Sequence, residues 1–427
     1  MPTTNVFPQH LKKQRLEQPI DNVSVKTPSR TYSVFHLKHG QSAFTPKDHL
    51  FMMPCNCTFT HNRSQYGRQT LHRRHNVFRT TLLRTLDCLL LSTTLLFPGA
   101  RTGITQSPAQ SPLTTPPIPL PVSKAIRRGL DYLKQQQNER GAFGNRGYRS
   151  GVAVAGLCGL AFMSHGSTPG RGPFGREIER CLGFVLRNAR EDGFITAPGV
   201  QDQRRMYGHG FATLFLAQTY GMTANPSVRS ALISATRLII ESQNPEGGWR
   251  YEPGSRDADL SVTICQVMAL RAARNAGIHV PKDTINRCTQ YVRECHNPDG
   301  GYNYQLTDRG DSAFARSAAG VVALYNAGIY EGPEIERSLD YLERFQPDRK
   351  TADQIQYFYY GHYYAVQAMW HAGGQRWARW YPSLCQTLTT RQQSNGCWPD
   401  QICNEYGTAM ACIILQMPNN FLPILQR

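Results

Sequence analysis

The sequence predicts an all-α fold in which six helical hairpins close into an α/α toroid, preceded by a disordered N-terminal region. Two observations carry this prediction. A turn that places an aromatic residue just after a glycine recurs about every 50 residues from Val122 onward. The helices between these turns alternate between amphipathic ones and ones that are apolar on nearly every face, which must be buried. Six such hairpins pack most simply with the apolar helices as an inner ring and the amphipathic helices as an outer ring.

The repeated turn has a defined spacing. Residues 137–143, 243–249 and 392–398 share the pattern Gln-x3-Gly-x-aromatic, 296–302 has His in place of Gln, and 190–194 is a shortened copy. The turn glycines are 52 to 54 residues apart, except for one double step that leaves a copy without the motif near 346–353. The residues of the structural repeat are Gln137, Gly141, Gln243, Gly247, Trp249, Gly300, Gln392, Gly396 and Trp398.

The helix boundaries follow from periodicity and from stop signals. Proline stands at three predicted outer-helix starts, where a missing N–H does no harm, and Gly277 and Gly328 suit left-handed helix ends. The predicted outer helices are 123–137, 175–190, 226–243, 281–295, 333–345 and 375–392. The predicted inner helices are 150–164, 208–220, 259–276, 312–327, 357–372 and 406–417.

The N-terminal part divides into three segments. Residues 1–71 lack sustained periodicity and are expected to be disordered, or to be a leader upstream of the true start. Residues 72–100 run from a basic stretch through a short apolar run to small residues, as a secretory signal peptide does. Residues 101–121 are a linker rich in Pro, Ser and Thr, and 122–427 form the toroid. We therefore expect an exported, periplasmic or extracytoplasmic protein, or a cytoplasmic one if 72–100 is only an apolar patch.

The charge distribution argues against a nucleic-acid partner. The formal net charge is +17, but residues 1–120 alone carry 14 Lys and Arg against 4 Asp and Glu. In the predicted toroid the remaining basic residues are spread singly over helix surfaces rather than in a stripe with interleaved aromatics. With 40% hydrophobic residues, the composition also excludes a polytopic membrane protein.

The Gln-x3-Gly-x-Trp turns resemble the prenyltransferase and squalene oxidase repeat. That repeat occurs in squalene–hopene cyclases and related class II terpenoid cyclases, in β subunits of protein prenyltransferases and in complement-type thioester domains. The resemblance covers residues 122–427, one toroid, and implies that the turn Gln and Trp tie neighbouring hairpins together. The sequence has no Cys-Gly-Glu-Gln, which disfavours a thioester domain.

The resemblance also points to a catalytic acid. In squalene–hopene cyclases a Gly-Gly-Trp turn is followed by Asp-x-Asp-Asp at an inner-helix start, and the middle Asp protonates an alkene. Here Asp257 matches the first position and Asp259 the proton donor, while Leu260 replaces the last Asp. Such chemistry needs a carboxyl held protonated in a dry site, and Asp257 is expected to raise the pKa of its neighbour. The alternative is that either Asp only caps the helix that begins near Leu260.

Aromatic residues gather where this resemblance places the mouth of the toroid. Their faces can stabilise a carbocation, although aromatics at helical spacing are often simply core. The expected cavity residues are Trp249, Tyr251, Tyr302, Tyr304, Tyr360, His362 and His209.

Three functions remain open at this stage. The leading one is a terpenoid cyclase-like protein that acts on an isoprenoid or other hydrophobic ligand, without metal or cofactor. The first alternative is an exported binding or scaffold barrel without catalysis. The second is a zinc prenyltransferase-like subunit, in which Asp257 and His362 match ligand positions and Asp259 stands where the family has Cys. Peripheral membrane contact and a partner subunit are compatible with each.

Overall fold

A computed structural model describes residues 117–144, 147–198, 204–307, 310–348 and 355–426. All of them belong to one compact unit, residues 103–427. The predicted leader, the signal-like segment 72–100 and most of the linker lie outside the described residues, so export stays a prediction. Within the described ranges the regular structure consists of helices, with isolated β-bridges only.

Twelve α-helices, numbered in chain order, alternate between an outer and an inner position across the described ranges. The outer helices are α1 (Leu120–Gln136), α3 (Gly175–Arg187), α5 (Ser227–Glu241), α7 (Lys282–Glu294), α9 (Pro333–Glu343) and α11 (Gly374–Arg391). The inner helices are α2 (Val152–Met163), α4 (Arg205–Thr219), α6 (Leu260–Asn275), α8 (Phe314–Ala327), α10 (Phe358–Ala372) and α12 (Asn404–Leu415).

The inner helices form a closed ring. Each packs against the next, and α12 packs back against α2. Helices α2 and α12 bury almost every residue, whereas outer helix α3 buries one face with Ile178, Cys181, Leu182 and Val185. This difference is what the sequence pattern predicted, because a helix that is apolar all round is stable only when it is surrounded. The predicted α/α toroid is confirmed.

The turn glutamines join neighbouring hairpins. Gln243 Nε2 donates to the carbonyl of Gly247 in its own turn, at 2.7 Å, and to the carbonyl of Thr284 on the next outer helix, at 2.9 Å. Gln392 makes the same pair of bonds, and its second acceptor is the carbonyl of Ala125 on α1, at 2.8 Å. The last turn is therefore fastened to the first helix, which closes the ring.

The turn tryptophans join the two helices of their own hairpin. The indole N–H of Trp249 donates to the Ile239 carbonyl on outer helix α5 at 2.8 Å, and its backbone N–H donates to Thr263 Oγ1 on inner helix α6 at 3.1 Å. Trp398 makes the equivalent bonds to α11 and α12. These buried donors are all satisfied, as a stable core requires.

The copy without the motif is held by different chemistry. Its Pro347 carbonyl accepts hydrogen bonds from Ser383 Oγ at 2.8 Å and Thr387 Oγ1 at 2.7 Å, both on the following outer helix. The donors therefore come from α11 rather than from a turn glutamine. The ring keeps its tie at this position although the sequence signature is lost.

Several helix boundaries differ from the prediction by one to three residues; for example, α4 begins at Arg205 rather than at residue 208. Helix α1 begins at Leu120, inside the predicted linker, because Pro121 lies in the first turn, where its missing N–H needs no partner. None of the described helices is both long and apolar enough to cross a lipid bilayer.

The turn glycine at the ring closure predicts a specific stability effect. Gly396 has φ 92°, and a Cβ there would lie 2.6 Å from the Arg128 carbonyl oxygen on α1. Gly277 has φ 81°, but a Cβ there would meet nothing within 4 Å. We expect Gly277→Ala to lower the free energy of unfolding by about 1–2 kcal/mol, the cost of a left-handed alanine. Gly396→Ala should cost clearly more. Urea unfolding of both variants measures this, and equal losses would contradict the close approach.

Candidate active site

A cavity of about 890 Å³ lies at the N-terminal end of the inner ring. Each of the six inner helices, or the loop just before it, contributes to its wall, which includes the exposed Tyr148 and Tyr357. The wall residues from α2 to α12 in turn include Val152, Tyr207, Ser261, Phe314, Tyr360 and Tyr406. Because parallel inner helices meet here, their N-terminal dipole ends face the same space.

Three of the seven expected cavity residues line this wall, namely Tyr251, Tyr304 and Tyr360. Trp249 and Tyr302 do not, because they are the turn aromatics and are fully buried between the inner and outer rings. The prediction that these two face the cavity is wrong. The aromatic residue of the motif itself packs inside the hairpin, whereas the residue two positions later, Tyr251 or Tyr304, lines the cavity.

The two histidines also lie away from the cavity. His209 Nδ1 accepts from the Ile195 N–H at 3.1 Å, and Nε2 is 3.2 Å from the Ala235 carbonyl. His209 thus accepts a hydrogen bond from a turn N–H, as Thr263 does from the Trp249 N–H in the following hairpin. Burial lowers the pKa of His209 to about 4, so the ring is neutral. Its assignment to the cavity is wrong because the helix turns it toward the outer ring.

His362 occupies the equivalent place on α10. Its ring contacts Phe314, Phe358 and Trp380, with centroids 4.4 to 5.8 Å away, and it is fully buried. Burial lowers the pKa of His362 to about 3. It does not line the cavity, so this assignment is also wrong.

The wall residues that the sequence prediction missed include Tyr207 and Tyr406. Both begin a Tyr-Gly-His or Tyr-Gly-Thr triplet, as Tyr360 does, near the start of an inner helix. The tyrosine faces the cavity, and the glycine permits close helix approach: a Cβ at Gly361 would lie 2.8 Å from the Phe314 ring. The triplet is a signal that could have identified all three tyrosines.

Asp259 is the N-cap of α6. Its Oδ1 accepts from the Val262 N–H at 2.9 Å, and the residue is fully buried. The capping hypothesis is therefore confirmed. The cap uses only Oδ1. The other carboxyl oxygen, Oδ2, lies 3.3 Å from Arg250 Nη1. The carboxyl thus has a second oxygen with a different environment.

The pKa of Asp259 is raised to about 6, and burial is the main cause. The Val262 N–H, the Arg250 guanidinium and the Tyr304 hydroxyl each pull this pKa down, but together they do not offset the loss of solvation. Asp257 is not that cause. Its side chain is 54% exposed, and Arg250 lies between the two carboxylates, with its Nε 3.3 Å from Asp257 Oδ2. The expected carboxyl–carboxyl coupling is therefore wrong.

Asp259 sits one layer behind the cavity wall. The wall in front of it is made by Ser261 and by Tyr251 and Tyr304, whose hydroxyls are hydrogen-bonded to each other. The Leu260 N–H donates to the Tyr304 carbonyl at 3.0 Å, which fixes this loop beside the start of α6. Burial raises the pKa of Tyr304, so its hydroxyl keeps its proton. Tyr304 thus lies between the Asp259 carboxyl and the cavity.

The charged residues of the described wall are all arginines: Arg204, Arg205, Arg316 and Arg344. Arg205 is paired with Glu252. In the described structure, Arg316 donates to the backbone carbonyls of Tyr302 and Asp311, and Arg344 to that of Asp299, and neither forms a salt bridge. These two guanidinium groups stand near the start of α8, which has no side-chain cap.

The residues do not fit a zinc site. In the described ranges, no three His, Cys, Asp or Glu side chains converge. Asp257 is exposed beside Arg250, whereas His362 is enclosed by aromatic rings. The two ligands that the prenyltransferase-like hypothesis requires are thus in different environments.

Comparisons with known proteins find curated relatives that match parts of the chain. No family model matches the chain. A drimenyl diphosphate synthase from Streptantibioticus cattleyicolor is 27% identical over 129 residues, which are 29% of this chain and 23% of that protein. One from Streptomyces showdoensis is 25% identical over 180 residues, 42% of this chain and 32% of that protein. The chain therefore matches a third or less of these curated relatives.

Solved structures of low sequence identity cover about 70% of this chain. An α-1,6-mannanase variant from Salegentibacter in complex with mannotriose has a TM-score of 0.52, with 9% identity over 70% of this chain and 99% of its own. The type II terpene cyclase MstE from Scytonema, in complex with geranylgeranyl dihydroxybenzoate, has a TM-score of 0.49, 15% identity, and covers 71% of this chain and 98% of its own. The mannanase supports the toroid alone, since fold does not fix chemistry. The resemblance to terpenoid cyclases that the turn motif indicates is borne out by the drimenyl diphosphate synthase matches.

Proposed function

We propose that the protein is a terpenoid cyclase-like enzyme that binds an isoprenoid in the cavity and protonates one of its alkenes with Asp259. The observation that carries this proposal is a fully buried carboxyl with a raised pKa directly behind an aromatic cavity wall. Burial keeps this carboxyl protonated at a mildly acidic pH, at which an exposed Asp would be ionised.

The proton reaches the substrate through the Tyr304 hydroxyl. Asp259 gives its Oδ2 proton to the Tyr304 oxygen while the Tyr304 O–H proton moves to an alkene carbon. The alkene π electrons form the new C–H bond, and the adjacent carbon becomes a cation. A second alkene of the same chain then attacks this carbon and closes a ring. The resulting cation loses a proton to solvent water, and a proton from solvent restores Asp259. The faces of Tyr207, Tyr360 and Tyr406 stabilise the cation through their quadrupoles.

An anionic headgroup on the isoprenoid fits the charge of the wall. Arg316 and Arg344 face the cavity without a carboxylate partner in the described structure, and the uncapped start of α8 adds positive potential. Guanidinium groups bind carboxylates and phosphates through paired N–H donors. The curated relatives are named for a diphosphate product, which supports the same substrate class.

Replacing the acid is the direct test of the proposed function. Asn caps a helix about as well as Asp, so Asp259→Asn should keep the α6 start. It cannot donate the proton, and we expect turnover to fall by about 10²–10⁴-fold, the usual value of an acid catalyst. Gas chromatography and mass spectrometry of products from farnesyl and geranylgeranyl diphosphates would measure this. If the variant forms product at the wild-type rate, Asp259 only caps its helix.

The raised pKa of Asp259 predicts how the rate of the proposed reaction depends on pH. The protonated form of Asp259 is the active one, and burial raises its pKa to about 6. We expect kcat/KM to be constant below that pH and to fall about tenfold for each pH unit above it. Initial rates between pH 4.5 and 8.5 would measure this curve. A rate that rises through pH 6 would contradict a carboxyl acid.

The headgroup assignment has its own prediction. Arg316→Gln and Arg344→Gln should each raise KM for an isoprenoid diphosphate by about 10–100-fold, as loss of a charged hydrogen bond does. They should leave KM for the corresponding neutral alcohol unchanged. Arg293→Gln is the matched control, because Arg293 pairs with Glu334 on the outer ring. Equal effects on both substrates would mean that the arginines only support the fold.

The binding or scaffold barrel remains the second candidate, because the cap made by Asp259 is a sufficient structural reason for that residue. Tight binding of an isoprenoid diphosphate in calorimetry without any product would favour it.

A further inference from the structure

We propose that Arg250 is a positioning residue for the acid: it holds the Asp259 carboxyl in place and stabilises the carboxylate that proton transfer leaves behind. This rests on the proposed function. The same geometry gives the exposed Asp257 a role, which is to anchor Arg250 rather than to act as a second acid.

The Arg250 side chain is fixed from four directions. Its Nη1 lies 3.3 Å from Asp259 Oδ2, and its Nε lies 3.3 Å from Asp257 Oδ2. Its guanidinium carbon stands 4.4 Å from the Tyr251 ring centroid and 5.5 Å from that of Tyr304. The side chain is only 20% exposed. An arginine enclosed by two carboxylates and two aromatic rings has little freedom left, so it orients the groups around it.

Arg250 is the cation that contacts Asp259 in the described structure. The other titratable groups that face Asp259 are neutral, because burial raises the pKa of each of these phenols and thiols. These neutral groups are Tyr207 on α4, Cys265 on α6, Tyr291 and Cys295 on and just after α7, Tyr304 in the loop before α8, and Tyr360 on α10.

Three further charged groups stand at the edge of this environment. Asp257 contacts the far side of Arg250. Arg204 lies over the Tyr251 ring at 5.2 Å. Glu246 accepts from the Ala258 N–H at 3.1 Å. Removal of Arg250 would therefore change the charge around the Asp259 carboxyl more than removal of any of these three groups.

Alkene protonation by Asp259 requires a cationic partner such as Arg250. Burial alone makes Asp259 a weak acid, since its carboxylate is poorly solvated. Alkene protonation creates a carbocation and needs an acid whose conjugate base is stabilised at that moment. A fixed guanidinium on Oδ2 provides this stabilisation without blocking Oδ1, which remains the helix cap. The Gln305 amide, 3.1 Å from Asp257 Oδ2, holds the anchor in turn.

The test is an NMR titration of the Asp259 carboxyl carbon in the full chain, with the signal assigned through Asp259→Asn. Arg250→Gln should raise the pKa of Asp259 by at least one unit, because it removes the contacting cation. Arg250→Lys should give a smaller rise, and Asp257→Asn a smaller one still. Arg293→Gln, in an ion pair on the outer ring, should give none. The pH–rate curve should move upward in pH by the same amount, with a lower kcat on its plateau.

An unchanged or lowered pKa of Asp259 in a folded Arg250→Gln variant would overturn the proposal. If that variant does not fold, Arg250→Lys and Asp257→Asn decide the question in the same titration. The titration needs no substrate, so it separates two failures. A wild type without product contradicts the proposed function, whereas a wild type with product and an insensitive Asp259 contradicts the role of Arg250.

Discussion

The close contact between each turn glycine and the next outer helix is the constraint on which the structure depends. At Gly396 and at Gly247 the backbone comes so near to a neighbouring carbonyl that a Cβ would lie within 2.6 Å of it. This approach lets a turn glutamine reach the next helix, and Gln392 thereby ties the last hairpin to the first. Closure in turn brings six inner-helix N-termini to one cavity. The site is therefore a product of ring closure, with no single hairpin able to form it.

Asp259 combines an observed structural role with the chemical role that we propose for it. Asp259 begins α6 through Oδ1, and this cap buries the carboxyl at the place where the ring meets the cavity. Burial is what raises its pKa, so the structural role creates the condition for the chemical one. Arg250 then acts on the other oxygen. The two readings of this residue, cap and acid, are thus compatible in one geometry.

The toroid and its twelve helices could be predicted because the turn motif, the helix stops and the contrast between apolar and amphipathic helices all repeat. The site was less accessible to sequence reasoning. Tyr251, Tyr304 and Tyr360 were identified, but Trp249, Tyr302, His209 and His362 were assigned to the cavity although they brace the hairpins. Which side of a helix faces the cavity depends on the rotation of that helix in the ring, which composition does not fix. Arg250 was missed because the role we propose for it rests on its position between two carboxylates, which the sequence does not show.

Isotope incorporation can test whether an acid of this protein protonates an alkene. The full chain would be incubated with an isoprenoid diphosphate in D₂O, at an acidity where Asp259 is protonated, and the product analysed by mass spectrometry. We expect a cyclic product with one deuterium on the carbon that was protonated, and no such product with Asp259→Asn. A cyclic product without deuterium would contradict it, since the ring would then have formed without proton donation from the protein.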